Sequence, residues 1–220
     1  MINMRTIFAF LLSQSILLPI IAGLVRFRRL ERSYQPFFML LLVGLLTEIL
    51  CFIVIEGYYK SNFVILNIYT LIEWTLTAWQ FHVWGLLKQK KKLFYALLTF
   101  VTLCWIVENL VLKHITDLQP YFRFLYFFII VLLSINKINF MITHENRNLF
   151  RNPRFLICIG FIVYFVYMIV DFWALEISMF GEKGISLRIS YLIGYVNVIT
   201  NCIYALAFLL IPKPQKFTLK

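Results

Sequence analysis

The sequence predicts an all-α, polytopic membrane protein of seven transmembrane helices, with the amino terminus outside and the carboxyl terminus in the cytoplasm. Three observations carry that expectation. Of 220 residues, 62% are hydrophobic and only 14% are charged, with a mean hydropathy of +0.84, whereas soluble chains carry about 25% charge. Apolar runs of the roughly 20 residues needed to cross a hydrocarbon core about 30 Å thick recur seven times between short polar segments. Lys and Arg concentrate on alternate segments. The same figures exclude intrinsic disorder, which needs low hydrophobicity, and a disulfide-stapled secreted domain, which needs far more than four cysteines.

The first run, Ile7 to Val25, is followed rather than preceded by a basic cluster, so it reads as a retained span and not a removable signal peptide. The second, Pro36 to Ile55, lies between RFRRLERSYQ and EGYYKSN. The third, Phe63 to Leu87, ends at KQKKK, and the fourth, Leu93 to Leu112, at KHITDLQP. The fifth, Tyr121 to Met141, ends at THENRNLFRNPR, and the sixth, Phe155 to Ile177, at SMFGEKGIS. The seventh, Leu187 to Ile211, leads into a short basic tail at 212–220, so residues 1–211 form a single transmembrane domain. No connecting segment has room for a kinase, nuclease or nucleotide-binding module, and no GxxxxGK, GxGxxG or GxSxG element is present. Tyr58, Tyr59, Trp84, Tyr95, Tyr121 and Trp173 fall near span ends, where aromatic belts form.

Orientation follows from the basic residues of the short loops. Arg26, Arg28, Arg29, Arg32, Lys88, Lys90, Lys91, Lys92, Arg147, Arg151 and Arg154 share one side with the tail lysines. The other side holds only Arg5, Lys60, Lys113, Lys183 and Arg188. This imbalance puts the amino terminus outside and the carboxyl terminus in the cytoplasm; the expected location is a bacterial-type cytoplasmic (inner) membrane, crossed several times. It also accounts for the net charge of +11 without nucleic acid as a partner, and the bilayer's anionic inner leaflet is the natural contact for such loops. Each basic loop begins a span with an acidic residue in its outer half, namely Glu48, Glu108 and Asp171. That pattern suggests one lead helix followed by three helical hairpins, although any alternating seven-span chain repeats its charge in this way and no residue-level identity supports a repeat.

Ionisable residues inside spans carry the functional signal, because a charge near the bilayer centre costs at least about 2.5 kcal/mol and must face a partner or a wet cavity. Glu48 lies about 18 Å from the inner edge and Glu73 about 15 Å from the outer edge at 1.5 Å per residue. Glu108, Asp171 and Arg123 sit nearer the outer surface, so the acidic groups gather in the outer half. Helical spacing aligns Thr70, Glu73, Thr77, Gln80 and Trp84 in span three. Gly160, Tyr164, Tyr167 and Asp171 align in span six, and Ser190, Gly194, Asn197, Asn201 and Tyr204 in span seven. Such stripes turn away from lipid. Asn197, Asn201, Thr77 and Gly194 read first as packing and hydrogen-bonding glue between helices. The carboxylates of Glu73, Glu48 and Asp171 favour function, since neutral amides would pack as well. Structural pairing is the competing reading, with Arg123 or Arg188 neutralising Glu108 or Asp171.

Other chemistries find little support. Cys51, Cys104, Cys158 and Cys202 lie within spans without a CxxC pair and read as small buried hydrophobes. His82, His114 and His144 are single and fall in different hairpins, against a metal site. Microbial rhodopsins share the span number and orientation but bind retinal through a lysine in the last helix, and Leu187 to Ile211 contains none. Membrane hydrolases of the alkaline ceramidase kind need zinc-binding histidines in the final span, which are absent. Vitamin and sugar carriers with a three-plus-one-plus-three plan match by span count only.

The sequence therefore points to an outward-facing acidic cavity that serves small-solute transport or ligand binding, with no cofactor and no metal. Its residues are Glu73, Glu48, Asp171 and Asn197, with Gln80, Tyr164 and Tyr167 as walls and Trp74 and Trp105 as further aromatic surfaces. The carboxylates would carry a proton or bind a cationic or hydroxyl-rich solute. A sensor or accessory subunit acting through a partner membrane protein is the second reading, and an intramembrane lipid-modifying enzyme using Glu73 or Asp171 as general base is the third.

Overall fold

The computed structural model describes residues 4–27, 30–58, 61–86, 91–112, 115–117, 120–144, 148–178 and 183–212, with side chains for most of them. Among the described residues every regular element is helical: α1 Met4–Ser13, α2 Leu17–Val25, α3 Gln35–Tyr58, α4 Phe63–Val83, α5 Lys91–Ile106, α6 Pro120–His144, α7 Pro153–Ser178 and α8 Lys183–Leu209. A 3-10 turn over Gln14–Ile16 joins α1 and α2 into one rod, giving seven rods. The break has a local cause. Pro19 offers no N–H to the carbonyl of Ser15 one turn earlier, and its ring crowds that carbonyl.

Each end has a similarly local reason. Span three was expected to run to Leu87, but α4 stops at Val83 because Gly85 adopts a left-handed φ of 79°. The Gly85 and Leu86 N–H groups then fold back on the carbonyls of His82 and Phe81, the closing pattern of a Schellman cap. Lys137 of α6 donates to the Trp84 carbonyl at the same end, 3.2 Å away. Helix α5 widens into a π turn over Val107–Leu112, where the Asn109 side chain donates to the Trp105 carbonyl at 3.0 Å, the acceptor its own backbone would use in an α-helix. Helix α6 opens with Pro120, and the Glu108 carboxylate accepts from the N–H groups of Tyr121 at 3.0 Å and Phe122 at 2.5 Å. These are orphan donors of the first turn, and a negative charge there also complements the helix dipole.

Among the described residues five helical stretches are long and apolar enough to cross a membrane: Arg32–Ile55, Lys91–Leu112, Pro120–His144, Pro153–Ala174 and Leu192–Leu209. The other two rods differ for clear reasons. The first is interrupted, leaving a shorter apolar stretch at Phe10–Val25. Helix α4 carries the polar stripe Asn67, Thr70, Glu73, Thr77 and Gln80, all buried. Large aliphatic side chains instead cover the outside of the bundle, including Leu110 at 67%, Val111 at 73% and Ile142 at 57% exposure. Polar groups inside and aliphatic ones outside is the arrangement a lipid solvent selects.

Six rods form a closed ring in the order α3, α4, α6, α7, α8 and α1/α2, with α2 returning to α3. Helix α5 packs outside it against α4 and α6. Consecutive helices pack closely as α3 with α4, α6 with α7 and α7 with α8, whereas α5 touches α4 and α6 about equally. The expected plan of one lead helix and three equivalent hairpins is not what the packing shows, because α5 lies outside the ring and α6 packs mainly on α7. At the end bearing the basic loops, the interior is filled by aromatic rings. Phe37 contacts Tyr204 at 4.8 Å, Phe161 at 5.6 Å and Phe208 at 5.6 Å between centroids, and Phe81 joins Phe161 at 5.9 Å. Trp84, expected at a membrane interface, is buried beside Phe81, whereas Tyr95, Tyr121 and Trp173 are exposed as an aromatic belt requires. Cys51 and Cys158 are buried as expected, but Cys104 is half-buried and Cys202 is exposed on the outer surface.

Candidate functional site: an acidic cavity inside the ring

The ring encloses a cavity of about 380 Å³, lined by side chains from the first rod and from α3, α4, α6, α7 and α8. This is within the range of small-molecule sites. Glu48, Glu73, Asp171, Asn197 and Tyr164 all line it, so residues from four helices separated in sequence meet around one void. The aromatic cluster of Phe37, Phe161 and Tyr204 forms its floor toward the basic-loop end.

Glu73 is the best-held acid. It is 5% exposed; its Oε1 accepts from the Tyr69 hydroxyl at 3.1 Å and its Oε2 from the Tyr126 hydroxyl at 2.6 Å. A carboxylate has about four acceptor positions, so two phenolic donors hold its orientation and leave capacity for a third partner. Glu48, half-buried on α3, borders the void together with Ser13 of the first rod. Asp171, buried to 6% exposure, lines the same void from α7. Among the described residues, the Asn197 amide and the Tyr164 hydroxyl have no hydrogen-bond partner although both border the cavity. Asn201 is shared between roles: it lines the cavity and donates to Ser15 across the α8 and first-rod contact at 2.8 Å.

Several expected site residues are placed elsewhere. Gln80 is not a cavity wall. Fully buried, its Oε1 accepts from the Phe37 N–H at 2.8 Å and its Nε2 donates to the Ser33 carbonyl at 2.6 Å, fastening the start of α3 to α4. Tyr167 is half-buried and lies outside the lining. Trp74 is packed in the core, and the Trp105 indole donates to the Asn67 carbonyl at 2.9 Å, so neither forms a cavity wall. Glu108 caps α6 rather than serving as the hydrogen-bonded counter-ion of an arginine. The Arg188 side chain lies outside the described residues. Arg123 lines the cavity; its Nη2 donates to Asn67 Oδ1 at 3.0 Å and its guanidinium lies over the Phe172 ring at 5.1 Å.

Tyr69, Tyr126 and Asn67 were not anticipated. Tyr69 stands four residues before Glu73 on one helix, a spacing that predicts contact. Asn67 extends the α4 polar stripe by one turn, and it donates to the carbonyls of Ile115 and Asp117 at 2.8 and 2.9 Å. Tyr126 belongs to an α6 stripe of Arg123, Tyr126, Ser134 and Lys137, all buried, whose link to Glu73 no single helix reveals. Among the described residues no three His, Cys, Asp or Glu side chains converge in a way that would hold a metal ion.

Fold and site together fit a multi-pass helical membrane protein whose helices surround a largely apolar cavity bordered by three carboxylates and an arginine. No known protein family matches the chain, and no curated protein or solved structure is similar to it.

Proposed function

We propose that this protein is a small-solute transporter of a bacterial-type cytoplasmic membrane, and that the acidic cavity is its solute site, approached from the side opposite the basic loops. The observation that carries this reading is the convergence of Glu48, Glu73 and Asp171 on one void of about 380 Å³. Glu73 and Asp171 are buried and Glu48 half-buried; carboxylates inside a lipid-embedded bundle are costly, and three on one cavity favour a positively charged group there. Glu48 and Glu73 receive the solute's cationic group, while Asn197 and Tyr164 receive its hydroxyl or amine hydrogens. The aromatic floor closes the path toward the basic-loop side, and rocking of the rods around it would release the solute there.

The test is thermal stability of the purified protein in mild detergent across a panel of primary amines, quaternary ammonium compounds and polyols. A solute present at a hundred times its Kd stabilises by about 2.7 kcal/mol. At least one amine is expected to raise the melting temperature, and the Glu48→Gln/Glu73→Gln double variant to lose that response. A panel without any stabilising member, or a response that survives in the double variant, contradicts the proposal. Co-purification of a stoichiometric second membrane protein would favour a sensor or accessory subunit instead.

A further inference from the structure

Arg123 does not belong in a site built for a simple cation. It is 6% exposed and borders the cavity that holds the three carboxylates. Its one side-chain hydrogen bond among the described residues goes to a neutral amide, Asn67, and its Nε is buried with no partner at all. Among the described residues no carboxylate is hydrogen-bonded to it: Glu108 holds the start of α6, and Glu73 is bonded to two tyrosines with acceptor capacity to spare. A guanidinium carries five donors in a planar fork matched to a carboxylate. Leaving that fork partly unfilled inside a membrane protein is costly unless a ligand completes it.

We infer that the solute is a zwitterion of the amino-acid type with an apolar body, its carboxylate on Arg123 and its ammonium on Glu73 and Glu48. The inference rests on the proposed solute site and deepens it. Arg123 and Tyr126 are one turn apart on α6, a rise of roughly 4.5 Å, and Tyr126 holds the Glu73 carboxylate at 2.6 Å. Both poles also border the same void, where one α-amino acid would meet Arg123 with its carboxylate and Glu73 with its ammonium. Beneath the poles, Phe127, Phe161 and Phe165 offer an apolar wall, so the side chain of the solute is hydrophobic or aromatic.

Three probes separate the poles: L-phenylalanine, phenethylamine, which lacks the carboxylate, and 3-phenylpropanoate, which lacks the amine. Calorimetric titration of the protein in lipid nanodiscs is expected to show L-phenylalanine binding about tenfold or more tighter than either truncated probe. Arg123→Gln should weaken L-phenylalanine to the level of phenethylamine and leave phenethylamine unchanged. Arg123→Lys, which keeps the charge and loses the fork, should fall between. If phenethylamine binds the unaltered protein as tightly as L-phenylalanine, the zwitterion inference is overturned while a cation site stands. If L-phenylalanine binding is indifferent to both Arg123 variants, the inference is overturned again. Failure of all three probes, with failure of the wider amine panel, removes the solute site itself.

Discussion

At the scale of single residues, the interior is organised by a few polar side chains that each serve more than one element. Asn67 is the clearest. Its amide ties residues 115 and 117 to α4, its Oδ1 holds Arg123 of α6, and its carbonyl receives Trp105 of α5. Removing the side chain strands several buried groups, each costing about 1 to 3 kcal/mol. Asn67→Ala is thus expected to lower the detergent melting temperature more than Asn197→Ala, whose amide bonds nothing among the described residues; equal shifts would remove Asn67 from this role. Tyr126 and Glu73 provide a second case. A hydrogen bond to a charged group is worth about 1.5 to 3 kcal/mol, so a double-mutant cycle with Tyr126→Phe and Glu73→Gln should give a coupling of about 1 kcal/mol or more. Additive effects would mean that the 2.6 Å contact does not hold the carboxylate.

At the scale of elements, close approach decides which helices meet. A Cβ on Gly160 of α7 would overlap the Tyr204 ring of α8, and that ring is locked against Phe37 and Phe161. Gly160→Ala should therefore destabilise by about 1 to 3 kcal/mol through overpacking, and Tyr204→Leu in the same chain should recover part of the loss. A Gly160→Ala protein as stable as its parent would show that α7 and α8 do not meet in this way. Helix length and number were legible because apolar runs and charged interruptions depend only on local chain composition. Less legible were events set by one side chain acting on the backbone: the 3-10 break imposed by Pro19, the π turn beside Asn109 and the early stop at Gly85. Gln80 illustrates a further limit. The polar stripe of α4 turns Gln80 inward, but whether an inward amide meets a void or the backbone of Ser33 and Phe37 depends on the neighbouring helix.

At the scale of the whole molecule, the arrangement is a ring of six rods with α5 outside. The three acids could be placed in one half of the membrane by counting residues, since depth follows from helical rise. That they share a void depends on rotation and packing of helices distant in sequence, and that is written in no single segment. The same holds for Tyr126, whose partner lies 53 residues away. The proposed solute site requires that this void be hydrated and bordered by the three acids. The most direct measurement is labelling of single cysteines by a small cationic thiol reagent, in a chain whose four native cysteines are replaced. Asn197→Cys and Tyr164→Cys, which border the cavity, should react readily from the side opposite the basic loops, whereas Leu132→Cys and Leu206→Cys, exposed on the outer surface, should not react. Unreactive cavity positions, or all four positions labelling alike, would contradict a water-filled acidic cavity at the centre of this bundle.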